Sequence, residues 1–298
     1  MLDFDHALQQ TLARHAFHPG ILAVLDYAVR PPGKLFRPLF LAALAQDLGA
    51  KDARDVVTLG CALEIHHAYS LVHDDMPCMD NDLVRRGKPA THVAYGEWKA
   101  LLSGDSLMLI SYAELEHLKS PAAAFIRRFF HWATGPKGLI LGQWIDLGHE
   151  GAQVAARLMR MHELKTARLM QVATTGALAL ANPKFSYRDV KKYLRLGASV
   201  GLAFQLLDDL DDLSTTELSA HERAVNPFML AAAEATTRLQ QVLHTIEEQK
   251  QLPATKTFLT QFLKASAQKL VTNQSVWGQH VPDQQKNLVK LFTSGICA

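Results

Sequence analysis

The sequence predicts an all-α protein built as a single domain, and three observations support that fold class. Apolar residues recur at three- and four-residue spacing through most of the 298 residues, which is the period of an amphipathic helix. Alternating β-branched segments and Asn-Gly or Asp-Gly turns, which are typical of hairpins, are absent from the sequence. No Gly/Ser-rich linker divides the chain, so residues 1–298 are expected to form one helical domain.

The predicted helices follow one another with breaks at glycine and proline. Pro31-Pro32-Gly33 is the first clear break, and Gly87-Lys88-Pro89 is predicted as a loop. Met76-Pro77 ends one long helix and Asn182-Pro183 ends another, because the residue before proline disfavours the helical conformation. The predicted helices span Arg37–Leu48, Ala53–His73, Glu97–Leu118, Ala122–Trp132, Lys137–Leu147, Ala155–Ala181, Tyr187–Leu213, Asn226–Lys250, Thr255–Leu270 and Asp283–Leu291.

Composition excludes several classes of protein. Hydrophobic residues make up 48% of the chain, which is enough for a large core, and the formal net charge is only +2. That balance does not favour nucleic acid as a partner. Three widely spaced cysteines argue against a disulfide framework and for a reducing compartment. No apolar run approaches the roughly 20 residues of a membrane helix, so we expect a cytoplasmic protein without a transmembrane segment.

The segment Glu64–His92 carries the first candidate site. An apolar helical stretch ends in four aspartates within nine positions, and two arginines follow; these residues are Asp74, Asp75, Asp80, Asp82, Arg85 and Arg86. Such carboxylates repel one another unless a cation lies among them, and aspartate offers the hard oxygen ligands of a divalent metal. Paired guanidinium groups favour phosphate. The pattern therefore indicates a magnesium–polyphosphate site.

A second acidic cluster ends another long helix. It contains Asp208, Asp209 and Asp212, of which Asp208 and Asp212 are four residues apart and share a helix face. A helix C-terminus disfavours anions, so two helices each carry an unfavourable charge arrangement. If the two helix ends face each other, their carboxylates line one cavity that holds several Mg²⁺ ions. A solvated acidic loop explains one cluster alone but explains two of them poorly.

Taken together, these motifs resemble the trans-polyprenyl diphosphate synthase family, and most closely its bacterial short-chain type that makes farnesyl diphosphate. The resemblance spans residues 33–212. It rests on Gly33-Lys34-Leu35-Phe36-Arg37-Pro38, the helix Glu64–His73, Asp-Asp-x4-Asp from Asp74, Arg85-Arg86-Gly87-Lys88-Pro89, Gly104-Asp105, Gly142-Gln143, Asp146-Leu147, Lys165-Thr166, Phe204-Gln205 and Asp-Asp-x-x-Asp from Asp208.

The resemblance implies antiparallel helices around a central cavity and a Mg²⁺-dependent condensation of isopentenyl diphosphate with an allylic diphosphate, with Mn²⁺ as an alternative ion. The implied metal ligands are Asp74, Asp75, Asp80, Asp208, Asp209 and Asp212. Arg85 and Lys165 would bind the allylic diphosphate, and Thr166 and Gln205 would offer weak dipoles to the carbocation. Lys34, Arg37, His67 and Arg86 would hold the second diphosphate without metal. The resemblance also implies a homodimer.

Tyr69 is the candidate for control of chain length, because it lies five residues before Asp74 on the helix expected to line the tail cavity. A bulky ring there predicts a C15 product from C5 starters, with C10 and C20 products as alternatives. Two histidines of the same helix are expected outside the chemistry: His66 as a core residue, and His73 as a residue that orients Asp74.

The region after Asp212 departs from the family pattern. The segment Leu213–Val225 is short, only Asn226-Pro227 is recognisable, and the expected diphosphate-binding lysine is missing, with Arg223 or His221 as candidate substitutes. This departure keeps a weakly active or non-catalytic partner subunit open as an alternative function.

An all-α metal-dependent phosphohydrolase is a second alternative, because His67, His73, Asp74 and a distant aspartate could bind metal. A terpene cyclase is disfavoured, because the sequence near Asp208 lacks the second metal motif of that class.

Overall fold

The all-α fold class is confirmed by the structure, a computed structural model that describes residues 2–148, 155–215, 218, 223, 225–249 and 251–297. The chain divides into two compact units, and the division falls within two of the helices. Unit 1 comprises Met1–Arg128 and Gly176–Phe185, and unit 2 comprises Phe129–Thr175 and Ser186–Ala298.

The first half of the chain begins with four helices, then a short hairpin, then four more helices. Their bounds are α1 (Phe4–His15), α2 (Pro19–Val29), α3 (Phe36–Asp47), α4 (Ala53–Asp74), β1 (Val84–Arg85), β2 (Lys88–Pro89), α5 (Thr91–Tyr95), α6 (Glu97–Leu115), α7 (Ala123–Thr134) and α8 (Leu139–Leu147).

The second half is also helical in its described ranges. It contains α9 (Ala155–His162), a π-helical turn (Glu163–Ala167), α10 (Arg168–Ala181), α11 (Tyr187–Asp212), α12 (Pro227–Glu247), α13 (Pro253–Thr272), α14 (Gln274–His280), α15 (Gln285–Phe292) and a 3₁₀ turn (Gly295–Cys297). Among all these helices, none combines the length and the apolar character that crossing a bilayer requires.

The core of unit 1 surrounds α4. Phe4, Leu8 and Leu12 of α1 are buried against the apolar face of α4, where Ile65 and Tyr69 lie. Residues four apart on α1 share one face, so the apolar spacing of the sequence accounts for this packing. Helix α4 begins at a cap in which the side chain of Asp52 accepts a hydrogen bond from the Arg54 amide, and this cap fixes where the helix starts.

In unit 2 the end of α11 is tied to the start of α12. Asn226 caps α12 by accepting a hydrogen bond from the Phe228 amide at 3.0 Å. Its side-chain nitrogen donates to the Asp209 carbonyl oxygen at 2.6 Å, one of the carbonyls that the end of a helix leaves without an intrahelical partner. A single asparagine therefore begins one helix and positions the acidic end of the other.

Two features differ from the sequence predictions. The segment predicted as the loop Gly87-Lys88-Pro89 forms half of a hairpin, whose turn has positive φ at Arg86 (53°) and Gly87 (74°). The helix predicted over Ala155–Ala181 is divided by the π-helical turn at Glu163–Ala167. Hydrophobic periodicity predicts neither difference. It does not reveal the single inserted residue of a π-helical turn, and it does not reveal a two-residue hairpin turn. Helices α1, α2, α5 and α14 also lie outside the predicted set.

Candidate active site

The first acidic cluster begins where α4 ends and the chain folds back. The Asp80 amide donates to the Asp74 carbonyl oxygen at 2.8 Å, and the Asn81 amide donates to the Met76 carbonyl oxygen at 3.1 Å. Asn81 takes the left-handed conformation, with φ of 57°, which asparagine tolerates better than most residues. The spacing between Asp75 and Asp80 is therefore the length of one closed loop at the C-terminus of the helix.

Arg85 neutralises the buried member of this cluster. Its Nε and Nη2 both donate to Asp75 Oδ1, at 2.9 and 2.5 Å, and its Nη2 also donates to Asp82 Oδ2 at 2.7 Å. Burial raises the pKa of Asp75, and the hydrogen bonds from Arg85 offset part of that rise. The guanidinium group stays protonated in proteins, so it holds a positive charge at the end of α4.

Arg86 lies on the other side of the hairpin and approaches a carboxylate in the middle of α4. Its Nη1 donates to the Val29 carbonyl oxygen at 3.1 Å, and its Nη2 lies 3.5 Å from Glu64 Oε1. Burial raises the pKa of Glu64, whereas the charges of Arg37 and Arg86 oppose that rise. One buried carboxylate thus faces two guanidinium groups, which leaves an excess of positive charge.

The remaining predicted phosphate ligands lie in unit 1 as well. Arg37 is buried at the start of α3, and Lys34 is exposed just before that helix. Burial, together with the charges of Arg37 and Arg86, lowers the pKa of His67 well below its ordinary value. A neutral imidazole can donate one hydrogen bond and accept another without adding charge. An anion can therefore bind here through two kinds of donor, which are the charged guanidinium groups of Arg37 and Arg86 and the neutral imidazole of His67.

Tyr69 and His66 are buried together on the apolar face of α4. Their rings meet edge to face with centroids 4.5 Å apart, and His66 Nδ1 lies 2.9 Å from Ser111 Oγ. Burial lowers the pKa of His66 to about 3, so this imidazole is neutral in the folded protein. The prediction that His66 is a core residue is confirmed. Tyr69 is 6% exposed, and burial raises the pKa of its hydroxyl.

His73 contacts α6, at the glycine of the Gly104-Asp105 pair. Its Nε2 lies 3.1 Å from the Leu101 carbonyl oxygen and 3.8 Å from Asp105 Oδ1. A Cβ atom at position 104 would lie 2.1 Å from the imidazole, so only glycine allows the ring to occupy this position. These contacts hold the last turn of α4 against α6; the role predicted for His73 towards Asp74 stays a prediction.

The second acidic cluster lies at the C-terminus of α11 in unit 2. Asp208 and Asp212 are exposed, whereas Asp209 is 7% exposed. Thr166 Oγ1 donates to Gln205 Oε1 at 2.7 Å, and Gln205 Nε2 donates to Asp209 Oδ1 at 2.8 Å. Burial raises the pKa of Asp209 well above its ordinary value, and the hydrogen bond from Gln205 opposes this. The predicted pair of Thr166 and Gln205 therefore meets a carboxylate through one continuous chain of hydrogen bonds.

The other oxygen of Asp209 faces a buried histidine. His162 Nε2 lies 3.5 Å from Asp209 Oδ2, and within the described part of the chain neither atom makes a hydrogen bond. Burial lowers the pKa of His162 to about 4, so the imidazole does not supply a compensating charge at neutral pH. A buried carboxylate oxygen without a partner is costly, and a bound cation would satisfy it.

The π-helical turn places Lys165 and Thr166 towards different helices. Lys165 Nζ donates to Asp146 Oδ2 of α8 at 2.5 Å, while Thr166 reaches Gln205 of α11. A Cβ atom at Gly142 would lie 2.4 Å from the backbone nitrogen of Lys165, so glycine permits the close approach of α8 to this turn. One irregular turn thus supplies a cation and a hydroxyl to the same unit, as π-helical turns at functional sites often do.

The two residues that the sequence suggested as substitutes for the missing lysine, Arg223 and His221, stay predictions. Arg223 donates its Nε to the Leu218 carbonyl oxygen at 3.3 Å, and His221 lies outside the described residues. A further basic residue near this cluster is Lys269, on α13, which forms an ion pair with Asp211 at the end of α11. Sequence reasoning missed Lys269 because nothing in its local pattern distinguishes it from a surface lysine.

Three further polar residues were overlooked as parts of the site. Glu64 and Asp146 stand within recognised motifs but received no role, and His162 stands three residues before Lys165. All three are buried. Glu64 and Asp146 are ionisable residues in otherwise apolar helical stretches, and that is the signal that could have identified them, whereas the sequence around His162 gives no such signal.

The carboxylates at both helix ends fit Mg²⁺. This ion prefers oxygen ligands, uses one or two carboxylates and keeps several waters, so its ligands must reach solvent. Asp80, Asp208 and Asp212 are exposed, and the second cluster also contains the unsatisfied Oδ2 of Asp209. A closed cage of protein ligands would indicate a different metal.

Known proteins resemble this chain over most of its length. The polyprenyl synthetase family model matches residues 18–255. The farnesyl diphosphate synthase of Geobacillus stearothermophilus is 33% identical over 251 residues, which cover 79% of this chain and 83% of that protein. The geranylgeranyl diphosphate synthase of Cyanophora paradoxa is 36% identical over 200 residues, 65% of each chain.

A solved structure shares the fold. A geranyltransferase from Helicobacter pylori, in complex with magnesium and isoprenyl diphosphate, has a TM-score of 0.74 and 27% sequence identity. The match covers 88% of this chain and 95% of that one.

Proposed function

The chain belongs to the polyprenyl synthetase family, and we propose that it is a short-chain prenyltransferase that condenses isopentenyl diphosphate with an allylic diphosphate, dimethylallyl or geranyl. One observation carries the proposal: each unit contains a helix that ends in clustered carboxylates, and each also contains a buried carboxylate paired with a fixed cation. Arg85 accompanies Asp75 in unit 1, and Lys165 accompanies Asp146 in unit 2. Such a set of groups suits a metal-bound diphosphate better than any neutral substrate.

The leaving diphosphate is the centre of the proposed chemistry. Asp74, Asp75, Asp80, Asp208, Asp209 and Asp212 would hold Mg²⁺, which supplies positive charge to the departing phosphate oxygens. Arg85 and Lys165 donate hydrogen bonds to the same diphosphate. We propose magnesium because the oxygen ligands are exposed, and because the structure of the Helicobacter pylori geranyltransferase contains magnesium.

Bond changes in the proposed reaction balance without a dedicated base. The allylic carbon–oxygen bond breaks and diphosphate takes the electron pair; the double bond of isopentenyl diphosphate then forms the new carbon–carbon bond. One proton leaves the condensed product and goes to the released diphosphate. Thr166 and Gln205 present a hydroxyl and an amide rather than a base, so they stabilise positive charge without removing a proton prematurely.

The second diphosphate needs holding rather than activation. Lys34, Arg37, His67 and Arg86 would bind isopentenyl diphosphate without metal. The excess of guanidinium over carboxylate around Glu64 supports this division, because a cationic pocket binds an anion without drawing electrons from a bond that must stay intact.

The product is proposed to be farnesyl diphosphate, a C15 chain. Tyr69 supports this length, because its ring is buried on α4 five residues before Asp74 and would stop a growing tail. The alternatives are C10 and C20 products.

We further propose that the two units act as one catalytic domain and that the protein is a cytoplasmic homodimer. Free cysteines at positions 61, 78 and 297 agree with a reducing compartment. Helix α6 exposes four large apolar side chains, those of Trp98, Leu101, Leu102 and Leu109, and exposed apolar residues of this kind suit a contact between copies. Size-exclusion chromatography with light scattering would measure the mass in solution.

The decisive assay incubates the protein with Mg²⁺, labelled isopentenyl diphosphate and either dimethylallyl or geranyl diphosphate, and then sizes the products. Incorporation of label into a C15 diphosphate is expected, with none when the allylic substrate or the metal is omitted. Phosphate release from either diphosphate alone would indicate a phosphohydrolase instead. Absence of both reactions, with diphosphate binding intact, would indicate a non-catalytic partner subunit.

A further inference from the structure

A third group of metal-ligating side chains lies in unit 1, where α1 and α6 end, and none of its members belongs to an acidic cluster. His15 is the last residue of α1, Glu114 lies in the last turn of α6, and His117 follows one turn later. One ligand atom from each of the three lies within 4.8 Å of the other two. The three residues come from two segments far apart in the sequence, so no sequence motif predicts the group.

The best-defined distance in this group matches a tetrahedral metal site. His15 Nε2 lies 3.4 Å from Glu114 Oε2. Zinc binds histidine nitrogen and carboxylate oxygen at about 2.0–2.1 Å, so two of its ligands at a tetrahedral angle lie about 3.3–3.4 Å apart. Two imidazoles and one carboxylate are also a donor set that favours zinc over magnesium, which prefers oxygen alone.

Both of these atoms are buried without a hydrogen bond. Glu114 has a side chain that is only 3% exposed, and neither its Oε2 nor His15 Nε2 has a hydrogen-bond partner in the described structure. Leaving a buried carboxylate oxygen and a buried imidazole nitrogen unsatisfied costs free energy that a shared cation would recover.

The surroundings hold the ligands in place and leave a route for an ion. Asp55 of α4 accepts hydrogen bonds from the amides of Lys119 and Ser120, at 2.9 and 2.7 Å, which anchors the turn just after His117. A cavity of about 400 Å³ lies beside Glu114 and is open to solvent. His117 is exposed, so its ring can rotate to complete the coordination.

Arg14 is the competing cation. Its Nη2 donates to Glu114 Oε1 at 3.5 Å and lies 3.5 Å from Glu114 Oε2. The same nitrogen donates to Thr11 Oγ1 at 3.2 Å. The Arg14 side chain is 47% exposed, so it can turn into solvent when an ion binds. A metal site therefore predicts that removing this arginine strengthens zinc binding, whereas an ion-pair group without metal predicts that it does not.

We propose that His15, Glu114 and His117 bind one Zn²⁺ ion, with a water in the fourth position, and that the ion fastens the end of α1 to the end of α6. This site is distinct from the magnesium sites of the proposed reaction. Because zinc binds only the folded arrangement of these residues, it raises the melting temperature: a zinc concentration a hundred times the dissociation constant gives about 4 °C for a chain of this length.

The test titrates zinc into metal-free, tag-free full-length protein in excess Mg²⁺, which occupies the hard oxygen sites. Affinity is measured by competition with a chromophoric chelator, and Co²⁺ absorption reports the geometry. The variants are His15→Ala with His117→Ala, Glu114→Gln, and Arg14→Gln. His6→Ala is the matched control, because His6 lies on the same helix and outside the group.

We expect one tight zinc per chain, a tetrahedral Co²⁺ spectrum, and an unchanged affinity in His6→Ala. The double histidine variant should lose more than about 100-fold in affinity, since even losses outside the ligand set cost 10–100-fold. Arg14→Gln should bind about tenfold more tightly, because a neighbouring positive charge is gone. Weak zinc binding in the wild type, an undiminished affinity in the double variant, or weaker binding in Arg14→Gln would each overturn the proposal.

Should the double variant or Glu114→Gln fold poorly, the Arg14→Gln comparison still decides between the two explanations. Prenyl transfer measured with Mg²⁺ is expected to be the same in the double histidine variant as in the wild type. A failure of prenyl transfer in the wild type would contradict the proposed function, but it would not affect the test of the zinc site.

Discussion

Each of the two acidic helix ends contains a buried carboxylate, and the two carboxylates are stabilised in different ways. At the end of α4 a guanidinium group neutralises the buried carboxylate, because Arg85 binds Asp75 directly. At the end of α11 the buried carboxylate receives a neutral amide, and burial raises the pKa of Asp209 well above its ordinary value. The buried carboxylate of the first end is therefore paired with a cation before substrate arrives, whereas Asp209 of the second end retains an oxygen without a hydrogen-bond partner among the described residues.

This difference teaches that an acidic motif does not specify how its charge is balanced. An ion pair needs an arginine on a segment that folds back, and the hairpin β1–β2 supplies it after α4. A hydrogen-bonded carboxylate needs a polar side chain one turn earlier on the same helix, and Gln205 supplies it four residues before Asp209. The second arrangement is the better prepared for metal, because no cation in the described ranges is bonded to its buried carboxylate.

The largest expected effect is on turnover, and it tests whether the two ends serve one reaction. Asp74→Asn and Asp208→Asn should each lower kcat about 10³-fold, because each removes a carboxylate that holds the metal at the leaving diphosphate. Steady-state kinetics with geranyl and isopentenyl diphosphate would measure this.

Matched controls exist within each cluster. Asp82→Asn and Asp211→Asn remove partners of Arg85 and Lys269 at part-exposed ion pairs, and should change kcat less than about fivefold. If Asp208→Asn keeps most of its activity while Asp74→Asn does not, the two ends do not share the chemistry.

The next effect is on stability, and it tests the ion pair of the first end. Arg85→Leu should lower the free energy of unfolding by about 2–3 kcal/mol, because Asp75, 3% exposed in its side chain, would be left without its cation. The expected loss is at the lower end of the range for buried pairs, since Arg85 is 34% exposed.

Urea denaturation of the double variant Arg85→Leu/Asp75→Asn provides the control. A neutral side chain at position 75 needs no cation, so the double variant should recover most of the loss. A double variant as unstable as Arg85→Leu would mean that the arginine acts through packing of its aliphatic stem instead.

A smaller effect concerns pH and the buried histidine of α4. The imidazole of His66 takes up a proton in the unfolded chain below its ordinary pKa of 6.5, but in the folded protein only near a pKa of about 3. The unfolded state thus binds more protons between these values, and stability falls as the pH decreases through this interval. At pH 5 the loss from this residue is about 2 kcal/mol.

His66→Gln tests this, because glutamine can still hydrogen-bond Ser111 and does not titrate. Urea denaturation at about pH 7.5 and pH 5 should show a smaller decrease for the variant than for the wild type. An equal decrease in both proteins would show that other groups carry the acid sensitivity.

The smallest expected effect is a change of product rather than of rate. Tyr69→Ala removes a ring from α4 and should shift part of the product from C15 to longer chains, as measured by chromatography of the dephosphorylated prenols. Phe204→Ala is the control on α11, where the Phe204 ring stacks on Phe262 with centroids 5.3 Å apart. An unchanged product from Tyr69→Ala would remove the proposed role of Tyr69.

Much of this molecule could be predicted from the sequence. The helix predicted over Ala53–His73 is observed over Ala53–Asp74, and the helix predicted over Tyr187–Leu213 is observed over Tyr187–Asp212. Both carry the acidic motifs at their predicted ends. These predictions succeed because hydrophobic spacing, caps and proline act within a few residues of chain.

The polar pairings were harder to predict. Lys165 was expected to bind diphosphate, and its ion pair with Asp146 comes from the approach of α8 to the π-helical turn at Gly142. Lys269 reaches Asp211 from a helix that begins some 40 residues later in the chain. His162, whose pKa burial lowers to about 4, looks in sequence like any helical histidine.

The sequence by itself determined that the protein is helical, where the main helices run, and that two of them end in clustered aspartates. Those properties depend on neighbours along the chain. Only the tertiary structure decided which distant groups meet: Arg85 returns to neutralise Asp75, and Thr166 bonds to the Gln205 that contacts Asp209. The reason is physical, since burial and pairing depend on side chains brought together by folding, and Thr166 and Gln205, 39 positions apart in the chain, share no local pattern that predicts their contact.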